Sequence, residues 1–374
     1  MKDALAEKLL ARIMDWKPED VALQMRDLQV LSTMKYNNYQ QFAPGMRFVE
    51  SLALWLQQFN TKEERDCTYD FVRRRLIFIS ELEMQHLVTI AFPDFIRPFL
   101  LQQASESSGN SPFKLNKLVN GEHYKMALRK SLFLALSDGA HIDMFRRVNP
   151  LLTHEQVLPY YRIDEGEAND LILKLRNDLE RTFSTKDNDP RFTNLFLLDD
   201  FSGSGYSYSR RDGDNFDGKI IRVMKSIYFA DSPLNTLFNK SDLSIIVVLY
   251  SATERAKKRI KEIVGEFQRK FNCACNFHLI TIQELPATLR VDNYGDSKLE
   301  SILKNYFDDK IVDADYKKGK IDNPHYGFDE CALPLILYHN APNNTIPILW
   351  FGGDFNYHGL FPRVSRHKEG GSLR

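Results

Sequence analysis

The sequence predicts an α/β fold, in which a parallel sheet with helices on both faces follows a mostly helical N-terminal region. Three observations support this prediction. Apolar residues recur at helical spacing up to about Gln103, strand-like runs then alternate with helical patterns, and a stretch of small and polar residues at 104–112 separates the two regions. We therefore expect a helical domain at 1–104, a linker at 105–122 and an α/β domain at 123–368. The last residues, 369–374, have the Gly and Ser composition of an added linker.

The composition restricts the class of protein. The chain has 374 residues, more than one hydrophobic core usually serves, and 43% of them are hydrophobic. Fifty basic and fifty acidic residues give no net charge, so no long-range field for nucleic-acid or membrane binding is expected. Four scattered cysteines favour a reducing compartment, and no run of about 18 apolar residues occurs. We expect a cytoplasmic protein with no membrane contact.

The N-terminal region carries the signals of several short helices. Apolar positions from Phe48 to Leu56 follow helical spacing, and Thr61 followed by Lys-Glu-Glu is typical of a helix N-terminus. Residues 76–79 then resemble a short strand. Short helices followed by a strand favour a winged helix-turn-helix.

Four arginines on one of these helices are candidates for DNA contact. The alternative is a solvated basic face, and the acidic residues on the same helix favour a role in assembly over independent DNA binding. These arginines are Arg65, Arg73, Arg74 and Arg75.

In the second region, strands and helices alternate as in a parallel sheet with helices on both faces. A late apolar run at 333–338 is expected to join this sheet or to pair beside it. The predicted strands are 132–136, 195–198, 243–250 and 277–282, and the predicted helices lie near 155–183, 219–229 and 252–271.

The segment NLFLLDDFSGSGY, residues 194–206, is the most informative part of the sequence. A buried-type strand ends in Asp199 and Asp200, and ligands of open α/β sheets bind at the carboxyl ends of strands. The glycines that follow can take positive φ, so successive N–H groups and serine hydroxyls can hold a phosphate. Carboxylates beside such a loop suit a sugar phosphate, whose hydroxyls donate to them. The predicted phosphate-binding residues are Phe201, Ser202, Gly203, Ser204 and Gly205.

An ordinary strand-to-helix turn, or a site that has lost its activity, is the alternative interpretation of this loop, because Asp, Ser and Gly are common in turns. The insertion at 208–218 also delays the following helix, which makes a helix dipole directed at the phosphate less certain.

Two further segments contain candidate ligand-binding residues. LALSDGAHIDMFRR, residues 134–147, has a strand, a turn and paired arginines, and YHNAPNNTIPILW, residues 338–350, has a polar loop after an apolar strand. Both can equally be turns without a ligand. The candidates are Ser137, Asp138, Gly139, Arg146 and Arg147 in the first segment, and Asn343, Asn344 and Thr345 in the second.

The strand, the two acids and the hydroxyl-glycine loop together resemble the signature of type I phosphoribosyltransferases. This resemblance implies that Asp199 and Asp200 are catalytic residues that contact the ribose hydroxyls. It also implies that residues 201–205 bind the 5′-phosphate, and that the loop after the first strand receives pyrophosphate. Mg²⁺ is the implied cofactor, carried by the pyrophosphate of phosphoribosyl pyrophosphate. The resemblance leaves any protein ligand of the metal unknown.

The three segments together look like the phosphoribosyltransferase-like effectors of bacterial conflict and antiphage systems, which carry an N-terminal winged helix. This likeness implies a protein or ribonucleoprotein partner, either a retron reverse transcriptase with its RNA and DNA or an ATPase. It implies an effector that acts at the anomeric carbon of a nucleotide-type molecule. The alternatives are a housekeeping phosphoribosyltransferase and a non-catalytic, nucleotide-sensing regulator that binds DNA. Hydrolase and NTPase motifs are absent from the sequence.

Overall fold

The computed structural model of the protein describes residues 3–183, 190–229, 231–351 and 357–363. These residues form two compact units. One is discontinuous and combines the chain up to Glu83 with the chain from Ala287, and the other is Met84–Pro286. The α-helices of the described residues are α1 Asp3–Met14, α2 Pro18–Met34, α3 Phe48–Gln57, α4 Lys62–Arg74, α5 Glu81–Ile90, α6 Arg97–Ser108, α7 Leu115–Asn120, α8 Glu122–Arg129, α9 Ile142–Val148, α10 Glu165–Phe183, α11 Lys219–Tyr228, α12 Pro233–Leu237, α13 Glu254–Phe271 and α14 Ser297–Asn305.

The strands among the described residues form three sheets. These strands are β1 Ile77–Ile79, β2 Ser131–Ala135, β3 Val157–Pro159, β4 Asn194–Ser202, β5 Arg210–Asp212, β6 Asn215–Asp217, β7 Ser244–Thr253, β8 Asn276–Leu285 and β9 Leu335–Leu337. β1 pairs with β9, β5 pairs with β6, and the remaining five strands form one sheet.

The first unit closes around aromatic residues from both ends of the chain. Phe361 is fully buried, and its ring centroid lies 5.9, 5.7 and 5.5 Å from those of Tyr36, Phe48 and Phe78. Trp55 on α3 donates from Nε1 to the carbonyl oxygen of Ile348 at 2.8 Å. The helical segments at the start of the chain therefore obtain much of their core from its last hundred residues, since helix stability in proteins comes mainly from tertiary packing.

The predicted helix after Thr61 is confirmed as α4. The Thr61 hydroxyl accepts from the Glu64 N–H at 3.2 Å, and the Glu64 carboxylate accepts from the Thr61 N–H at 3.0 Å. This reciprocal pair satisfies two N–H groups that the helix start would otherwise leave without partners.

The winged helix is not confirmed. Ile77–Ile79 pairs in parallel with Leu335–Leu337, whereas a wing would require an antiparallel hairpin after the helices. The sequence had suggested that the late strand joins the large sheet or pairs beside it. The strand instead pairs with β1 in a separate sheet. The apolar run at 333–338 is buried within the first unit. A local sequence pattern does not reveal a partner so distant along the chain.

The second unit contains the predicted α/β sheet. Its strand order is β3-β2-β4-β7-β8, and every neighbouring pair is parallel. β2 and β7 are buried along their whole lengths, as is β4 as far as Asp199, which explains their continuous apolar runs. Helices such as α10, α11 and α13 bury apolar stripes in the same core.

The predicted linker, residues 105–122, lies inside the second unit. It contains the end of α6, a turn and α7. The small and polar residues there end a helix: Gly109 takes φ 64°, and the hydroxyl of Ser105 donates to the Asn110 carbonyl oxygen at 2.6 Å. The boundaries between the compact units fall after Glu83 and after Pro286, so they differ from the division expected from composition.

Candidate functional site

The loops after β2 and β4 meet at the carboxyl end of the sheet. β2 lies between β3 and β4, so the chain leaves β2 toward one side of the sheet and returns on the other. Such a switch in direction creates the crevice where open α/β sheets bind ligands. The structure joins the two loops directly, because the Ser137 hydroxyl donates to Asp199 Oδ1. The predicted residues Ser137, Asp138 and Gly139 therefore lie beside the Asp-Asp pair.

Asp199 is fully buried, and three side chains donate to its carboxylate. Its Oδ2 accepts from the Tyr208 hydroxyl at 2.7 Å and from Lys219 Nζ at 2.5 Å, while Ser137 bonds Oδ1. Burial and the neighbouring Asp200 carboxylate raise the pKa of Asp199, and Lys219 and Ser137 act in the opposite direction. The carboxylate oxygens of Asp199 are thus hydrogen-bonded within the protein, and they hold the loop in place.

Asp200 is only half-buried, in contrast to Asp199. Its Oδ1 accepts from the N–H of Phe201 at 2.7 Å. The loop after β2 approaches it closely, since a Cβ on Gly139 would lie 2.5 Å from Asp200 Oδ2. A side chain at position 139 would therefore displace the Asp200 carboxylate. Of the two acids, Asp200 is the more exposed.

The loop 203–205 is fixed against the first turn of α13. Thr253 donates to the Gly203 carbonyl oxygen at 2.6 Å, and its hydroxyl also accepts from the Ala256 N–H at 3.0 Å, which caps the helix. Gly205 takes φ 76°, and a Cβ there would lie 2.9 Å from the carbonyl oxygen of Ala256. Both the backbone conformation and the close packing require glycine at this position.

Two buried polar groups near this loop lack a hydrogen-bond partner. Within the described part of the chain, the buried hydroxyls of Ser202 and Ser251 have no hydrogen-bond partner. The two residues lie at the ends of the adjacent strands β4 and β7. A buried hydroxyl without a partner costs about 1–3 kcal/mol. An anion that accepts from these hydroxyls removes that cost.

The insertion after the loop folds as a hairpin. Strands β5 and β6 pair at residues 210–217, and α11 starts only after them, so no helix follows the loop at once. Ion pairs join the hairpin to α13, from Arg211 to Glu266 at 2.9 Å and from Lys270 to Asp214 at 2.6 Å. The hairpin returns the chain so that Lys219, the first residue of α11, reaches Asp199.

Sequence reasoning missed Tyr208 and Lys219. Lys219 contacts Asp199 because the inserted hairpin folds back, whereas Tyr208 lies in the turn directly after the loop, and neither belongs to a recognisable motif. The glycine before Lys219 was the sequence feature that could have indicated a turn at this point. Gly218 does take φ 120°.

Arg146 and Arg147 lie in the last turn of α9, at the opposite end of the helix from the loop that precedes it. Arg146 is engaged with Asp143 at 3.1 Å. Their predicted contact with pyrophosphate has no geometric support in this arrangement and stays a prediction.

Asn343, Asn344 and Thr345 belong to the first unit. Asn344 donates from Nδ2 to the Phe328 carbonyl oxygen at 3.2 Å, and Thr345 donates to the carbonyl oxygen of Leu335. Both side chains are buried, and these bonds hold the chain around β9. The side chains of Asn344 and Thr345 are used in this way within the unit, and the ligand-binding role of all three residues remains a prediction.

The arginines of α4 also have partners within the first unit. Arg65 donates to the Phe59 carbonyl oxygen at 2.9 Å, Arg73 to Gln24 Oε1 at 2.6 Å, and Arg74 to Asp70 at 2.6 Å. Their guanidinium groups thus bind the protein's own acceptors, which favours the structural interpretation over a phosphate-binding face. The fourth arginine, Arg75, stacks over the Tyr294 ring at 4.7 Å.

No cluster of three or more His, Cys, Asp or Glu side chains able to hold a metal ion occurs in the parts of the chain that the structure describes. The Mg²⁺ cofactor that the sequence resemblance implies stays a prediction. Over the same residues, no helix has both the length and the apolar surface to cross a membrane.

Comparison with known proteins adds one finding. The model of the PRTase-CE family matches residues 52–363, which is more than half of the chain. Neither a curated protein nor a solved structure matches. The match includes both predicted loops at the carboxyl end of the sheet.

Proposed function

Since the chain belongs to the PRTase-CE family, we propose that it binds a ribose 5-phosphate-type ligand, phosphoribosyl pyrophosphate or a nucleotide, and acts at the anomeric carbon. The observation that carries this proposal is the juxtaposition of a half-buried carboxylate, Asp200, with a tight glycine loop, 203–205, at the switch point of the sheet. The carboxylate accepts from ribose hydroxyls and the loop holds the 5′-phosphate.

Each side chain has a role in this scheme. Asp200 orients the ribose. Ser202 and the N–H groups of the loop hold the phosphate, and Asp199 fixes the loop through the hydrogen bond from Tyr208. Reaction breaks the bond from the anomeric carbon to the leaving group, which is an oxygen of pyrophosphate or a nitrogen of the base, and the electron pair departs with that group. An acceptor atom forms the new bond to that carbon and loses its proton. Mg²⁺ on the pyrophosphate supplies charge neutralisation for the leaving group.

The proposal extends to an antiphage effector that depletes or modifies a nucleotide-type target. The likeness of the three sequence segments to effectors of conflict systems supports it. The corresponding partner is a reverse transcriptase with its nucleic acid, or an ATPase. Genes for such a partner beside this one would favour the effector over a housekeeping enzyme.

Isothermal titration with phosphoribosyl pyrophosphate and Mg²⁺ tests the ligand. We expect saturable binding by the wild type and affinity about 10–100-fold lower for Asp200→Asn, because a charge-assisted acceptor is lost. The double variant Asp199→Asn, Asp200→Asn should show no saturable binding. Asp242→Asn, an exposed carboxamide substitution in the same unit, is the matched control and should bind as the wild type does.

Two results would contradict the proposal. One is unchanged affinity in a folded Asp200→Asn protein, and the other is the absence of binding by a folded wild type. In the second case, the regulator that senses a different nucleotide becomes the better hypothesis. A salt-dependent shift of duplex DNA by the protein would support that regulator.

A further inference from the structure

We propose that Lys219 is a positioning residue of this site: its ammonium compensates the buried charge of Asp199, so the negative charge beside the loop is lower and the loop can accept a phosphate. The inference rests on the proposed function. It addresses a problem that two adjacent acids create, since both would repel an anionic ligand bound beside them.

The geometry of the ion pair supports this role. Lys219 Nζ lies 2.5 Å from Asp199 Oδ2, and the lysine side chain is 28% exposed while the carboxylate is fully buried. A buried carboxylate without a cation is unfavourable, because burial removes the water that would stabilise its charge. The ammonium of Lys219 supplies that stabilisation.

The backbone around Lys219 is fixed to the same loop. Its N–H donates to the Ser207 carbonyl oxygen at 2.9 Å, and the N–H of Ile220 donates to the Tyr208 carbonyl oxygen at 3.0 Å. Gly218 takes φ 120°, and a Cβ there would lie 2.4 Å from that same Tyr208 oxygen. Lys219 is therefore held in place by close backbone packing as well as by its ion pair.

The other groups that face Asp199 cannot replace this charge. Asp200 on β4 adds a second negative charge, and Ser137 is neutral. Burial, followed by the charge of Asp199, raises the pKa of Tyr208 well above its ordinary value, and the same causes raise the pKa of Tyr250 on β7. Both phenols are therefore neutral donors or bystanders at physiological pH. Charge compensation falls to Lys219.

A pH dependence of stability follows and can be measured without any ligand. In Lys219→Met, Asp199 loses its cation, so its folded pKa rises further above the unfolded value of about 3.9. A raised folded pKa gives stability that is present below the unfolded pKa and lost as pH rises through the folded pKa. The difference in Tm between wild type and Lys219→Met should therefore be small near pH 4.5 and grow toward pH 8. The double variant Asp199→Asn, Lys219→Met should remove this growth.

Binding of ribose 5-phosphate gives the second measurement. At pH 8 we expect Lys219→Met to bind on the order of 10–100-fold more weakly than wild type, because an uncompensated charge lies near the phosphate. The ratio to wild type should approach one as pH falls and Asp199 takes up a proton. Ratios are taken at the same pH, so the ligand's own titration cancels. Lys219→Arg should retain most of the affinity.

The double variant and a second lysine distinguish charge compensation from other roles. Asp199→Asn, Lys219→Met should recover much of the affinity that Lys219→Met loses, since both charges are gone. Lys225→Met is the matched control. Lys225 lies on the same helix, and its ammonium donates to a carbonyl oxygen, that of Phe216, at 2.5 Å. Its loss should not change the pH dependence.

Two outcomes overturn the inference. A Tm difference that is constant with pH would make Lys219 a packing residue, and a double variant as weak as Lys219→Met would mean that the lysine contacts the ligand itself. If a folded wild type does not bind ribose 5-phosphate while the Tm difference still grows with pH, charge compensation stands and the proposed ligand is wrong.

Discussion

The two adjacent aspartates have the same side chain but different surroundings. Asp199 is buried and accepts from three side chains, whereas Asp200 is half-buried beside Gly139. The difference follows from the alternation of a strand, in which neighbouring side chains point to opposite faces. The two residues therefore differ in burial and in their partners, although the sequence presents them as an equivalent pair.

Tyr208→Phe tests the structural half of this pair. The tyrosine hydroxyl donates to Asp199 and lies 2.9 Å from the Phe201 carbonyl oxygen, so its removal leaves buried acceptors with fewer donors. We expect a loss of about 1–3 kcal/mol in the free energy of unfolding, measured by urea denaturation. Tyr161→Phe, at an exposed tyrosine in the same unit, should change it by less than about 0.5 kcal/mol. Equal effects of the two substitutions would refute the structural role of the hydroxyl.

At the scale of elements, the tight loop after β4 depends on one glycine more than on the others. Gly205 and Gly213 both have positive φ, but only Gly205 packs against another element, the first turn of α13. The two positions therefore separate backbone conformation from close packing.

Gly205→Ala should destabilise the protein by about 2–4 kcal/mol, because it adds a contact with the Ala256 carbonyl to the strained φ. Gly213→Ala should cost about 1 kcal/mol, since nothing lies within 4 Å of the new methyl group. Chemical denaturation of both variants measures the difference. If the two losses are similar, the packing of the loop on α13 is not as tight as described.

The sequence predicted the long elements of the sheet closely. The runs 243–250 and 277–282 correspond to β7 and β8, and the helix predicted near 252–271 is α13. A long apolar run buried on both faces, or a long amphipathic helix, leaves a strong local pattern. The short strand β3 and the hairpin β5–β6 have three residues a strand, too few for any periodicity to appear.

The site was predictable to the same extent. Residues 199–205 form a contiguous motif, and the loop at Ser137 follows from the adjacency of parallel strands. Lys219 and Tyr208 could not be found, because their positions depend on how an irregular insertion folds back. The placement of Asn343, Asn344 and Thr345 was equally inaccessible, since it depends on which distant strand β9 pairs with.

At the scale of the molecule, one compact unit is assembled from two separate stretches of chain. Phe361 packs on rings from the N-terminal helices, and β9 pairs with β1 across most of the sequence. A single substitution near the end of the chain should therefore act on its beginning.

Phe361→Ala should cost about 3–5 kcal/mol, because a large buried ring is replaced by a cavity. We expect hydrogen exchange of the amides of α3 to accelerate, although α3 lies some three hundred positions away in the sequence. Phe113→Ala removes a ring that is 92% exposed and serves as the control. Unchanged exchange in α3 would mean that the N-terminal helices are stable without the aromatic cluster.

The parallel pairing of β1 with β9 also has a consequence during protein synthesis. A ribosome that adds about 5–20 residues per second needs on the order of 10 to 50 s to make the chain between these strands. Throughout that interval the nascent helices α3 and α4 lack their partner aromatics, while the second unit, contiguous in the sequence, is completed first. The order of maturation is therefore the reverse of the order of translation, and any product of premature termination before β9 carries a first unit without its core.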